Sequence, residues 1–162
     1  MTLSAHMKLL DGMWPMLALA PVVPSSAAPP LVSLKGYSRC SVLINAKNAT
    51  TVTGAAIGLQ QAKTVGGTPK LLPFTEMYQI ADVSAGRTFT KTAVASNSFT
   101  TQAVDSKTAM YLIDVPIELM DIANEYDCVG VTVGNATAAT ISAYYLLYAP
   151  RHAGHTIDPG VN

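Results

Sequence analysis

The chain has 162 residues, 49% of them hydrophobic and only 12% charged, with ten basic and ten acidic side chains and a formal net charge of zero. That length fits one domain, able to bury roughly 70% of its unfolded surface around a single core without staples. The balanced charge argues against nucleic acid, whose affinity derives largely from phosphate neutralisation. No run approaches the ~20 uninterrupted apolar residues of a transmembrane helix.

Residues 1–30 carry Pro15, Pro21, Pro24, Pro29 and Pro30. Proline fixes φ and lacks an N–H, so this stretch is excluded from regular helix and from a central strand. It is expected as an extended, polyproline-like arm. Lys8, Asp11 and the interrupting prolines also depart from the basic start and unbroken apolar core of a signal peptide. The arm is nevertheless apolar: Trp14, Met16, Leu17, Leu19, Val22 and Val23 are its candidate protein-interface residues, with Trp14 and Met16 as anchors. It is expected to leave its own domain, and residues 16–20 to add a strand to a partner's sheet edge. The competing expectation is that it packs along its own domain.

Beyond residue 30 the pattern is that of strands. Period-two alternation covers residues 38–46 (Cys40, Val42 and Ile44 on one face) and 53–62 (Ala55, Ile57, Leu59). Residues 70–80 form a further candidate, interrupted at Pro73 in the manner of an edge or bulge. Residues 88–94 alternate weakly and 98–103 are short and threonine-rich, whereas 109–115 read as buried on both faces. Residues 126–133 put Val129, Val131 and Val133 together. In residues 140–148, Ile141, Ala143, Tyr145 and Leu147 oppose Tyr144, Leu146 and Tyr148. Because that second face is also apolar and needs cover, those three residues are candidate interface residues. Val65-Gly66-Gly67-Thr68-Pro69 is a strong turn, and residues 117–123 after Pro116 suit one short helical turn. The expected fold is all-β: a single sandwich or barrel-like domain of about eight strands (residues 31–150), the arm (1–30) before it and a tail (151–162) after it.

The residues offer little chemistry. His6, His152 and His155 lie near the ends, away from any Ser or Cys placed as a nucleophile, and Gly154, Pro150 and Pro159 deny the last two a shared helix face for zinc. Glu118, Asp121, Glu125 and Asp127 lack the order of a calcium loop and read as a solvated acidic turn. Gly66-Gly67 leads to a proline, not to the helix start of a phosphate cradle. Asn48-Ala49-Thr50 and Asn135-Ala136-Thr137 match the glycosylation pattern, which has meaning only on a secretory route. Cys40 and Cys128 sit in apolar runs and are expected as buried free thiols. No catalytic residue, cofactor or metal is expected.

Several segments carry a resemblance: Val32-Ser33-Leu34-Lys35-Gly36-Tyr37, Leu59-Gln60-Gln61-Ala62 through Gly66-Gly67-Thr68, Phe74-Thr75-Glu76-Met77-Tyr78, Ser96-Asn97-Ser98-Phe99-Thr100-Thr101, Ser106-Lys107 leading into Tyr111-Leu112-Ile113-Asp114-Val115, and the close from Tyr145 to Gly154. As a series, over residues 32–154, they resemble a family of small tailed-phage and prophage virion proteins. The resemblance implies no catalytic residues. It points to a capsid decoration (cement) protein on the capsid surface, made in the host bacterial cytoplasm. The implied partners are the major capsid protein and copies of itself, with a trimer favoured by analogy with threefold-binding cement proteins, and neither nucleic acid nor membrane. A tail or neck component is the alternative within that resemblance. A secreted carbohydrate-binding sandwich is a third reading, which requires exposed aromatics on a groove, whereas aromatics make up 7% here.

Overall fold

The computed structural model describes residues 12–26, 28–95 and 97–151. Eleven strands follow one another: β1 (Met13–Val22), β2 (Val32–Ser33), β3 (Tyr37–Asn48), β4 (Ala56–Ala62), β5 (Lys70–Leu71), β6 (Glu76–Ile80), β7 (Thr90–Ala93), β8 (Ser98–Thr100), β9 (Thr108–Pro116), β10 (Cys128–Val133) and β11 (Ala139–Pro150). They form two antiparallel sheets. The larger has the order β1-β11-β3-β9-β6-β7; in the smaller, β2, β10 and β4 lie side by side, and β5 and β8 share the far edge of β4. The expected short turn after Pro116 is two 3-10 turns, Ile117–Leu119 and Ile122–Asn124.

The core lies between the sheets and follows from the alternation. Cys40, Val42, Ile44 and Ala46 of β3 point inward beside Ile141, Ala143, Tyr145 and Leu147 of β11 and Ala109, Tyr111, Ile113 and Val115 of β9. Ile57 and Leu59 of β4 and Val129, Val131 and Val133 of β10 meet them from the smaller sheet. Each such fully buried aliphatic contributes on the order of 1.5–3 kcal/mol. Phe99 joins the layers, edge-on to Phe74 at 6.5 Å and tilted against Tyr111 at 5.0 Å. Tyr145 makes a polar link: its hydroxyl accepts a 3.0 Å hydrogen bond from the buried Val131 N–H of the opposite sheet. That bond belongs where β10 outruns its neighbour, since β2 pairs only with Cys128 and Val129.

The N-terminal stretch differs from the expectation. Residues 13–22 do not stand apart from the domain as an arm; they are the outermost strand of its larger sheet, paired with β11 from Met13↔Tyr148 to Val22↔Ile141. Pro15 and Pro21 are compatible with this because an edge strand needs donors on one side only. The boundary expected at residue 30 is therefore not a domain boundary. The 70–80 candidate splits at Pro73 into β5 and β6, which join different sheets. In β9 only one face is buried; Met110, Leu112 and Asp114 on the other are half-exposed. Cys40 and Cys128 are buried thiols that form no disulfide, as expected. The tail at 152–162 and His6, His152 and His155 lie outside the described residues.

Candidate protein-binding face

The outer face of the larger sheet is built by register. In an antiparallel pair, directly opposed residues point to the same side. Leu17 pairs with Tyr144, Tyr144 with Leu43, Leu43 with Leu112 and Leu112 with Tyr78, so one apolar band crosses five strands away from the core. At ~4.8 Å per strand it is about 19 Å long. Leu17 is 56% exposed, and the other four are half-buried. The rows beside it are Pro15–Leu146–Ser41–Asp114 and Met13–Tyr148–Arg39–Pro116 on one flank and Ser142–Asn45–Met110–Ile80 on the other.

A polar knot borders the band. The Tyr148 hydroxyl donates to Asp114 Oδ1 at 2.6 Å, and Arg39 Nη1 lies 3.2 Å from Asp114 Oδ2. Ser41 Oγ sits 3.2 Å from Tyr148 Oη and 3.3 Å from Asp114 Oδ1. Partial burial, then the bond to Asp114, raises the Tyr148 pKa, so the phenol keeps the proton it donates. The charges of Arg39 and Asp114 offset each other within the knot; the face also carries the exposed Lys47 of β3 and, opposite Tyr78, Lys91 of β7.

The nine interface residues expected from sequence divide. Tyr144, Leu146 and Tyr148 share this face. Leu17 joins them through the register, whereas Trp14, Met16 and Leu19 are half-buried and pack on the protein's own core. A register shift between Leu17 and Leu19 causes the difference: buried Ala18 is an extra residue in β1, so side chains two apart face opposite sides. Val22 and Val23 are exposed at the end of β1. Leu43, Leu112 and Tyr78 were missed because their membership depends on strand order, which no local pattern reveals.

Lys70 pairs with Asp121 at 2.5 Å and lies 3.7 Å from the Tyr126 ring centroid, and Lys63 faces Glu125 at 3.8 Å, so part of the acidic turn is ion-paired. Among the described residues no group of three or more His, Cys, Asp or Glu could hold a metal ion. A cleft of about 420 Å³ on the smaller sheet, with Gly58, Ser98 and Thr132 in its wall, has no titratable side chain in its lining. No helix among the described residues is long and apolar enough to cross a membrane.

The geometry defines an all-β, two-sheet sandwich with one apolar outer face. No family model and no curated protein matches the chain. Among solved structures it is similar to the crystal structure of the SPBc2 prophage-derived protein YomS, at 10% sequence identity over 85% of this chain and 93% of that one, with a TM-score of 0.48.

Proposed function

We propose that this protein is a non-catalytic structural component of a tailed-phage virion, a capsid decoration protein that binds the major capsid protein and further copies of itself. The observation that carries the binding role is the apolar band Leu17–Tyr144–Leu43–Leu112–Tyr78 on the outside of the larger sheet. A sheet face rich in tyrosine and leucine, bordered by a knot in which Asp114 takes Tyr148, Ser41 and Arg39, has the composition of protein interfaces, where Tyr and Arg are enriched and charge is sparse at the centre. The sequence resemblance supplies the virion. In mechanical terms, many copies bridging neighbouring capsid subunits each add apolar burial at ~25 cal/mol per Å², and small increments repeated over a shell resist internal pressure.

The test has two parts. Mass spectrometry of virions from the encoding phage or prophage should find the chain in the head fraction; its absence from virions, or its presence in tails alone, refutes decoration. Binding of Tyr144→Ser and Leu112→Ser to undecorated heads should weaken by about 30-fold each, the equivalent of ~2 kcal/mol for a hot spot. Full occupancy by both folded variants would remove the face from the proposal.

A further inference from the structure

We propose that β1 is exchanged between copies of this chain, the 13–22 segment of each copy completing the larger sheet of another. This concerns how copies join and does not rest on the virion reading. Three observations carry it. First, β1 pairs with β11 alone, through a ladder broken by two register shifts. Second, the slot cannot stand empty: Trp14, Met16 and Leu19 of β1 pack on the core and Ala18 is buried. Third, the link to β2, residues 23–31, contains Pro24, Pro29 and Pro30. At ~3.1 Å per residue its reach is about 28 Å, close to the ~30 Å width of a small domain. Among its described residues the link is held to the domain by a Ser26 Oγ–Asn135 Oδ1 bond of 2.9 Å, an Ala136 N–H to Pro24 carbonyl bond of 3.2 Å and the burial of Pro24, Pro29 and Leu31.

The closed and exchanged forms share every β1 contact, so their balance is set by the link and by association. A proline-rich link that favours extension opposes folding back. The slot also selects its occupant. The extra residue at Ala18 is what seats Leu17 against Tyr144 and Leu19 against Ala143, and a strand without that insertion would send one of those side chains to the wrong face. The strand that carries it is this chain's own, and a net charge of zero sets up no repulsion between copies.

The experiment uses the full chain. Leu17→Cys and Tyr144→Cys are made on separate molecules, unfolded, mixed, refolded together at high concentration and treated with a short bis-maleimide. Cys40 and Cys128, both 0% exposed, stay silent in the folded protein. Exchange predicts covalent dimers containing one chain of each variant, about tenfold above either variant alone, because pairing across the ladder holds the thiols at high effective concentration. No mixed dimers, or equal yields from each variant alone, would overturn the proposal. Wild-type chains with and without ¹⁵N, co-refolded and examined by native mass spectrometry, guard against a variant that fails to fold. Mixed-label oligomers that do not reshuffle until heated are expected; monomers at every concentration, or oligomers that reshuffle freely, would overturn it.

Discussion

Tyr145→Phe isolates one contact between the sheets. The ring of Tyr145 is almost wholly buried, so the substitution keeps its packing and removes only the hydroxyl that accepts from Val131 N–H at 3.0 Å. Val131 is fully buried, so its amide is left without that acceptor, at a cost of about 1–3 kcal/mol. For a chain this long that corresponds to a fall in melting temperature of roughly 2–12 °C, at ~2–4 °C per kcal/mol. Burial also raises the Tyr145 pKa above its ordinary 10.0. The linked stability is therefore complete below pH 10 and declines as pH rises beyond it, where the unfolded chain releases the proton and the folded one keeps it. Urea unfolding across this range, with hydrogen exchange at the Val131 amide, checks both effects. The variant should be less stable at neutral pH, exchange faster at Val131 and lose stability less steeply in alkali. A variant equal to wild type in stability and in Val131 protection would refute the reasoning.

Three further outcomes are expected. Bonds from Lys107 and then Ser84 lower the Asp82 pKa to about 2, so its contribution is present above the ordinary 3.8 and lost as pH falls toward 2; Asp82→Asn should flatten the acid limb of melting temperature against pH, and an unchanged limb would contradict the assignment. Burial raises the Cys40 pKa and leaves both thiols at 0% exposure, so a thiol reagent should label neither until denaturant is added, and prompt labelling of the native protein would count against the packing. Thr51 holds a left-handed φ of 59° despite its branched side chain, so Thr51→Asn should stabilise by about 1 kcal/mol in urea titration, and an unchanged or lowered midpoint would show that the strain is offset.

The long strands were legible because each buries one face against the other sheet. The alternation in residues 38–46 and 140–148 placed β3 and β11 within a few residues. Strands of two residues, such as β2 and β5, are too short to show a period. β1 was hidden for a different reason. Its prolines argue against a strand, and its two extra residues break the alternation that would reveal one. The outward set Tyr144, Leu146 and Tyr148 was legible within one strand; its extension to Leu43, Leu112 and Tyr78 depends on which strands lie side by side, a property of long-range pairing. The apolar outer residues of β9 likewise gave the impression of a strand buried twice over.

The two margins of the larger sheet bear on how the protein behaves when crowded. Unpaired edges are where sheets from different molecules add to one another and grow into fibres. One margin here is β1, with its prolines and bulges; the other is β7, four residues long and carrying Lys91 in a 2.5 Å ion pair with Glu76. Neither offers a long, straight row of donors and acceptors. A neutral, sparsely charged protein has little repulsion to keep its copies apart, and these blunted margins let many molecules lie close together without stacking into open-ended polymers.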